Sequence, residues 1–449
     1  MGGFSSFYGQ TLIHPVAMII TIILFFAVLV LPKRAAIYPI LIAATTLPMA
    51  QRLVVAGADF NLLRILLLAY LLRLVAKGNA VDMKWNRVDT FVILWCLTGT
   101  LIMTVHFGTV SAFTNRLGWA YDILLMYFAA RSLLSTREDW AALARFVSIL
   151  SIPIAAIFIF EWMTRYNLFS VFGGVPLETR IRDGRLRCQG PFSHPIMAGT
   201  FWAAMLPLIW MSFKDQLRGN KLPYLGTVAA LLIVMTTASS TPIVSAAVAF
   251  FGVALFRLRM HRRKMWLGLF VIAAILHFLL MDTPVWHLIA RIDITGSSTG
   301  WHRYKILDTF FNHFPDWFLT GENQPEKWNW FMRDITNQYV LEGLRGGVVT
   351  LVTFITLITL AFGNVGRALL RLETLELPDQ HLEWMVWLLG VAIFIHVVTF
   401  FGVSYFGQMT TLLYIQLAMA GTVGAWNNGS EDYQRRSVDA LSEPRLRPE

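Results

Sequence analysis

The sequence PIVSAAVAFFGVALFRLRMHRRKMWLGLFVIAAILHFLLM, residues 242–281, contains two apolar runs separated by a short basic stretch. The runs, 242–256 and 265–281, approach the length that a helix needs to cross a bilayer, and neither has the alternation of a barrel strand. The basic stretch between them, 257–264, is typical of a cytoplasmic turn between two spans. This segment therefore predicts a pair of transmembrane helices.

The same pattern recurs along the chain. Hydrophobic residues make up 56% of the 449 positions and charged residues only 14%, far from the composition of a soluble globular domain. Because helices satisfy their own backbone groups in lipid, we predict an all-α polytopic membrane protein with about 12–13 transmembrane helices. The predicted spans are 14–31, 36–50, 60–76, 90–113, 117–134, 146–163, 194–213, 223–240, 242–256, 265–281, 346–363, 384–403 and 405–424.

The charge of the chain indicates its topology. The formal net charge is +10, but the basic residues cluster in short loops between spans, so they predict cytoplasmic loops and not nucleic acid binding. This places the N-terminus outside and the C-terminus inside. We expect one transmembrane domain over 1–424 and a disordered cytoplasmic tail over 425–449.

Two predicted outer loops differ from small neutral connections. Loop 164–193 carries five arginines against two acidic residues, and loop 284–345 is long, charged and rich in tryptophan and histidine. An arginine cluster outside runs against the usual charge bias, which favours a phosphate-bearing substrate on that face. The alternative is that translocated loops tolerate a few charges. The tryptophans likewise suit stacking on sugars or an ordinary aromatic belt at the membrane interface.

Three ionisable residues lie in predicted spans on the outer side: Arg64, Asp122 and Glu161. Such groups are functional candidates by default, although a structural Arg64–Asp122 pair would look the same in the sequence. Cys96 and Cys188 are not expected to form a disulfide. No residue spacing predicts a metal site or a cofactor.

Three stretches together resemble the O-antigen ligase and O-antigen polymerase superfamily of bacterial envelope enzymes. They are 186–195, with an Arg followed by Gly-Pro-Phe-Ser-His-Pro; 302–323, with His-Arg-Tyr, His-Phe-Pro and a Gly turn; and 334–339, with Asn-Gln-Tyr before a Gly-Gly pair. The chain departs from the ligases at Thr336, where they typically carry a His, and at Ser240-Thr241-Pro242, where the family often has Ser-Arg. These departures favour a polymerase or a divergent exopolysaccharide relative.

The resemblance implies a metal-independent membrane glycosyltransferase without a cofactor. It would polymerise oligosaccharide repeats carried on undecaprenyl diphosphate into a surface polysaccharide or exopolysaccharide. The enzyme would be a multi-pass protein of the bacterial inner membrane, with its active loops facing the periplasm. The expected partners are the lipid-linked glycan, membrane lipid and other polysaccharide assembly proteins such as a flippase and a chain-length regulator. Two alternatives stay open: an O-antigen ligase that passes finished glycan to an acceptor, and a transporter of polysaccharide or lipid carrier.

The candidate site residues divide by role. A lipid diphosphate leaving group needs fixed cations, for which Arg185, Arg187 and Arg303 are the candidates. The acceptor hydroxyl needs a base, and four side chains compete for this role: Glu161, His194, Glu322 and Asp334. Asn337 and Tyr339 are assigned to substrate binding. If 334–337 is helical, Asp334 and Asn337 share a face; the alternative is that one of them caps a helix.

Overall fold

The computed structural model describes residues 10–55, 58–77, 83–214, 220–281, 284–288, 299–375 and 379–427. Helices dominate this part of the chain, and its strands form only two short ribbons. Within the described residues, six helices are long and apolar enough to cross a membrane, and two shorter apolar helices accompany them. The protein is therefore an all-α protein of the membrane type, as the composition predicts.

The helices are α1 (Pro15–Val30), α2 (Tyr38–Thr46), α3 (Leu62–Lys77), α4 (Arg87–Phe107), α5 (Val110–Leu133), α6 (Arg137–Thr164), α7 (Pro195–Trp210), α8 (Leu222–Thr236), α9 (Ser240–Ala254), α10 (Arg262–Ile275), α11 (Thr299–Asn312), α12 (Gln338–Glu373), α13 (Gln380–Thr399) and α14 (Gln408–Asn427). The antiparallel ribbons pair β1 (Arg52–Val55) with β2 (Ala58–Asn61), and β3 (Arg180–Arg182) with β4 (Arg185–Arg187).

Helix α7 lies at the centre of the bundle. All of its residues except Ile196 are buried, as expected for a helix that is apolar on every side. It packs against α6, α8, α9, α13 and α14. The sequence starts it with His194 as N-cap and Pro195 in the first turn, where a missing N–H costs nothing.

The predicted span 36–50 differs in detail from the structure. Its helix, α2, has only nine residues, too few to cross a bilayer alone. The chain continues past the end of α2, and the Gln51 side chain accepts a hydrogen bond from the His14 backbone N–H at 2.7 Å. Residues 36–51 thus return along α1 from its C-terminal end to its N-terminal end.

The chain reverses direction at the basic stretch between α9 and α10. Three contacts with α13 trace this path: Ser245 Oγ with Thr399 Oγ1, Arg259 with Glu383, and Trp266 with Phe394. As the chain runs from Ser245 to Trp266, its contact partner on α13 changes from the last residue of that helix to its first turn, and then back to a residue near its end. The two apolar runs of 242–281 therefore run in opposite directions.

The bundle has two chemically different ends. At the end that we call the basic end, ion pairs tie the loops together: Arg137 with Asp379, Arg259 with Glu383, and Arg262 with Glu373. At the opposite end, which we call the loop end, residues 164–193 and the described part of 284–345 both reach the N-terminus of α9. The loops that carry the candidate site residues are thus brought to one place.

Helix α12 is broken near its start. Gly346 and Gly347 have non-helical backbone angles, and Gly347 has φ 64° and ψ −166°, a region that glycine alone adopts readily. A Cβ at Gly347 would lie 2.4 Å from the Leu319 carbonyl oxygen. The break separates a short arm, 338–345, from the long remainder of the helix.

Candidate functional site: an arginine-lined helix N-terminus

The β3–β4 hairpin concentrates positive charge. Its turn residues, Asp183 and Gly184, both have positive φ, which suits the tight turn of a two-residue hairpin. The register pairs Arg180 with Arg187 and Arg182 with Arg185. Because paired residues point to the same face of a ribbon, all four arginines share one face. Like charges directly opposite each other are destabilising, so this hairpin is poorly explained by stability alone.

Arg187 points from this hairpin to α9. Its Nη2 donates to Ser239 Oγ at 2.7 Å, while its Nε is buried without a partner among the described residues. Burial, together with the nearby Arg182 and Arg180, lowers the pKa of Arg187 to about 10. The guanidinium stays charged at neutral pH but carries an uncompensated electrostatic cost, which an anion would relieve.

Arg303, on α11, reaches the same helix end. Its Nη2 donates to Thr241 Oγ1 at 2.8 Å, and the residue is only 8% exposed. Burial and then Arg182 lower the pKa of its guanidinium. Gly402 lies against this contact: a Cβ there would be 3.5 Å from Arg303 Cζ. The connection between α13 and α14 therefore stays close to the guanidinium.

The two arginines converge on the first turn of α9. Ser239 is the N-cap, but its side chain makes no capping bond to the helix; it donates instead to the Thr237 carbonyl at 2.9 Å. Within the described residues, the N–H groups of Ser240 and Thr241 thus lack a side-chain cap, while Pro242, the third residue of the helix, has no N–H. The helix dipole adds positive potential there. A helix N-terminus flanked by two arginines is a well-formed site for a phosphate or diphosphate.

His194 borders this site as the N-cap of α7. Its Nδ1 accepts the Ile196 N–H at 3.2 Å. Burial and then the positive charges of Arg187, Arg180 and Arg182 lower the pKa of His194 to about 4, so the ring is neutral. With Nδ1 acting as acceptor, the proton lies on Nε2, which is then a donor. His194 therefore suits a hydrogen bond to an anion better than removal of a proton.

Glu161, in the last turn of α6, is fully buried. Its Oε1 accepts the Gln189 N–H at 3.0 Å and the Thr179 hydroxyl at 3.2 Å, and its Oε2 accepts the Gly190 N–H at 2.9 Å. The carboxylate thus anchors the segment that joins β4 to α7. Its geometry suits positioning of Arg187 and His194 rather than contact with an acceptor.

Glu322 lies outside the arginine cluster. Its carboxylate accepts Lys327 Nζ at 2.6 Å and the Gln324 N–H at 2.8 Å. Burial raises the pKa of Glu322, but Lys327 and the Gln324 N–H together outweigh it, so the net shift is downward. Its backbone N–H binds the Leu344 carbonyl beside the break in α12. The loop is folded locally by these contacts.

Asp334 is different because its side chain is exposed, and no hydrogen bond or ion pair engages its carboxylate within the described part of the chain. Its backbone carbonyl lies 3.2 Å from His302 Nε2, next to Arg303 on α11. Among the four candidate bases, Asp334 is the one whose carboxylate remains available beside this helix.

Asn337 and Tyr339 hold the arm of α12 in place. Asn337 is the N-cap of α12, with its Oδ1 accepting the Val340 N–H at 3.1 Å. Residues 334–337 are not helical, so Asp334 and Asn337 do not share a helix face and the capping alternative describes the geometry. The Tyr339 hydroxyl donates to the Val397 carbonyl at 3.1 Å. Arg185, the remaining predicted cation, is exposed on the hairpin.

Arg64 and Asp122 form an ion pair, one of the two alternatives that the sequence left open for them. Arg64 donates to both carboxylate oxygens of Asp122, at 2.8 and 2.7 Å. Both members are thereby satisfied, which is the structural alternative for this pair. Among the described residues, no three His, Cys, Asp or Glu side chains group as metal ligands would.

Two hydroxyl groups of the site, on Ser239 and Thr241, are absent from the sequence prediction. The Ser-Ser-Thr-Pro sequence at the start of an apolar run is a helix-start signal that would have drawn attention to this turn. The hairpin was also predictable, since Asp183-Gly184 separates two short alternating segments. A comparison of the chain with known protein families and with curated proteins gave no match, so the function has to be inferred from the site itself.

Proposed function

We propose that the protein is a membrane glycosyltransferase that polymerises oligosaccharide repeats carried on undecaprenyl diphosphate. The observation that carries the proposal is the convergence of Arg187 and Arg303 on the uncapped N-terminus of α9. A lipid-linked diphosphate is amphiphilic and doubly phosphorylated, which matches an arginine cluster at the end of an apolar helix bundle.

The chemistry needs few groups. An acceptor sugar hydroxyl attacks the anomeric carbon of the donor glycan, the bond from that carbon to the diphosphate oxygen breaks, and the hydroxyl proton passes to a base. Negative charge grows on the departing diphosphate oxygen. Arg187, Arg303 and the Nε2–H of His194 would stabilise that charge, and fixed donors of this kind need no reorganisation during the reaction.

Asp334 is the best candidate for the base. Its carboxylate is free within the described residues and lies on the segment that contacts α11 beside Arg303. Glu161 and Glu322 are occupied by other donors, and His194 presents a proton. The acceptor would therefore enter from the side of the 299–337 loop, whose exposed aromatic residues, including Trp301 and Trp330, suit stacking against sugar rings.

We further propose that the loop end faces the periplasm and the basic end faces the cytoplasm of a bacterial inner membrane. The basic residues at the turns support this orientation. Each predicted span overlaps a helix, although only six helical segments of the described chain are long and apolar enough to cross a membrane alone. Helix α2 with the residues after it returns along α1. Cysteines placed at 180 and 327 should react with an impermeant reagent in intact cells, whereas one at 262 should react only after permeabilisation.

The test of the activity compares three arginine-to-lysine variants in vesicles that contain purified protein and a lipid-diphosphate-linked oligosaccharide. Lysine keeps the charge but loses the forked donors, so Arg187→Lys and Arg303→Lys should each lower sugar transfer by about 100-fold. Arg371→Lys, at the exposed basic end, is the matched control and should be unaffected. Wild-type transfer by both site variants would refute the proposal.

The products separate the alternatives. A polymerase lengthens glycan that remains on the lipid carrier, and Thr336 in place of the ligase His favours this outcome. Transfer of intact glycan to a different acceptor would identify a ligase. Movement of the lipid-linked glycan across the vesicle without any new glycosidic bond would identify a transporter.

A further inference from the structure

A second group of charged residues lies where α4, α5 and α12 meet, and the proposed reaction does not use it. Arg116 of α5 is only 6% exposed, and its Nε is buried without a partner among the residues that the structure describes. Within the described part of the chain, its guanidinium has no hydrogen bond and no ion pair within 4 Å; it lies over the Trp119 ring at 5.5 Å. A buried arginine with so little compensation is energetically costly.

Arg345 adds to this cost. It follows Glu342 by one turn of α12, and Glu342 is linked through Trp95 to the Trp119 ring that lies under Arg116. The two guanidinium charges therefore repel each other. The neighbouring carboxylate is Glu342, but its oxygens are taken by Trp95 Nε1 at 2.8 Å and Gln338 Nε2 at 2.7 Å. No ion pair joins Glu342 to either arginine among the described residues. Two arginines therefore share one already engaged carboxylate, which leaves a net positive charge.

Unpartnered polar atoms accompany the arginines on the adjoining helices. Thr100 Oγ1 and Thr104 Oγ1 are buried without a partner in the described residues. They lie one and two turns beyond the buried Cys96, on a face of α4 that points into the bundle. Thr350 Oγ1, on α12, likewise has no partner in the described chain. It lies in the α4–α12 contact, where its methyl is 3.6 Å from a Cβ placed at Gly99.

The rim of this region is apolar and lipid-facing. Leu101, Val105, Phe113 and Leu117 are all exposed on the flank of α4 and α5, with Val105 at 77%. Arg116 lies six residues into α5, about 9 Å from its start at the loop end. Arg116 therefore lies in the outer third of α5.

We propose that Arg116 and Arg345 form a second anion-binding site, separate from Arg187 and Arg303, which takes the phosphate headgroup of an amphiphile whose hydrocarbon chain lies along α4 and α5. Two guanidinium groups supply the donors, the threonine hydroxyls add hydrogen bonds, and the apolar flank accommodates the chain. The phosphate can belong to a bilayer phospholipid or to a lipid carrier. The site does not depend on the proposed reaction.

The test measures lipid retention by native mass spectrometry on the full chain in a neutral detergent. The Arg187→Gln variant is the common background, because it weakens the other anion site. Phosphatidylglycerol and a polyprenyl diphosphate are titrated separately. Adding Arg116→Gln or Arg345→Gln should lower the apparent affinity for the bound lipid by at least about tenfold.

Each result decides the question. Loss of phosphatidylglycerol binding supports the site with a bilayer lipid as occupant, and selective loss of polyprenyl diphosphate binding supports it with a lipid carrier. Unchanged affinity for both lipids in both variants overturns it, as does equal competition by inorganic phosphate at the same concentration, because a bound amphiphile must outcompete its headgroup alone.

Stability gives an independent readout. Because Arg116 carries an uncompensated charge when the site is empty, lipid-free Arg116→Gln should melt at or above the temperature of the Arg187→Gln parent. If Arg116 instead stabilised the fold through the Trp119 ring and the attraction of Glu342, its loss would lower the melting temperature in every lipid. Arg345 is only half-buried, so Arg345→Gln should disturb folding less than Arg116→Gln. If Arg116→Gln fails to fold, the binding test is made with Arg345→Gln.

Discussion

Glu161→Gln should loosen the segment that carries Arg187 and His194 without disturbing the rest of the bundle. Glutamine has the shape of glutamate, so its Oε1 can keep the Gln189 N–H and the Thr179 hydroxyl. Its amide NH2 then faces the Gly190 N–H, two donors with no acceptor between them. Leaving one buried donor unsatisfied costs about 1–3 kcal/mol.

Hydrogen exchange measures this change directly, because the donors of two of these hydrogen bonds are the backbone amides of Gln189 and Gly190. If the segment opens locally, a cost of about 1–3 kcal/mol increases the open population about 5- to 150-fold. Exchange of a peptide covering Gln189 and Gly190 should accelerate by that factor in detergent-solubilised protein. Peptides from α13 and α14 should exchange at the wild-type rate.

Glu138→Gln is the matched control. Glu138 lies at the opposite end of the same helix and is exposed. Among the described residues its one ion pair is a long contact of 3.8 Å with Arg137. Such surface pairs contribute little, so this variant should leave exchange unchanged. Equal protection of Gln189 and Gly190 in wild type and Glu161→Gln would refute the anchoring role, and so would equal acceleration throughout the bundle.

Three further substitutions test other parts of the geometry. The stability of the wild type should fall as pH decreases from about 6.5 towards 4, because unfolded His194 takes up a proton in that range while folded His194 stays neutral. The variant His194→Asn can keep the N-cap, so its thermal melts should show a smaller fall over the same pH range. Asn337→Ala should cost about 0.5–2 kcal/mol by loss of a cap, against no measurable cost for exposed Asn323→Ala; equal melting of the two variants would contradict the capping role. Gly347→Ala should destabilise by at least about 1–3 kcal/mol, whereas Gly268→Ala, in open space on α10, should be neutral or slightly stabilising, and normal yield and melting of Gly347→Ala would contradict the strained break.

The helical membrane character of the chain was predictable because it depends on composition and on long apolar runs. Helix boundaries were less so. The 36–50 run is apolar throughout, yet α2 ends at Thr46, and 346–363 is the continuation of a helix that starts at Gln338. An apolar run in the sequence indicates which residues lie in lipid. The residue at which a helix ends depends instead on caps and on tertiary contacts such as that of Gln51 with His14.

The candidate site, too, was predictable in part. Arg187 stood out because it belongs to an arginine cluster in a predicted outer loop, and Arg303 because it lies in a stretch that resembles the polymerase and ligase superfamily. The structure brings both to one helix end. Their meeting point on α9 could not be read from sequence, since Ser239 and Thr241 are 52 and 62 residues away from the arginines that contact them. The sequence also could not separate the four acceptor candidates, because what distinguishes Glu161 from Asp334 is the set of backbone donors around each carboxylate.

Helix α9 does not end the helical path at Ala254. The 3₁₀ helix Leu255–His261 continues it directly, so the chain stays helical beyond the 15 residues of α9. Those 15 residues rise about 22 Å and the next seven add about 14 Å, while the hydrocarbon core of a membrane is about 30 Å thick. The first turn of α9 then lies at one interface when the basic stretch 257–264 lies at the other. An anion at Ser239 and Thr241 would be bound at its own natural depth, and a long-chain lipid would not have to be lifted out of the membrane to place its headgroup there.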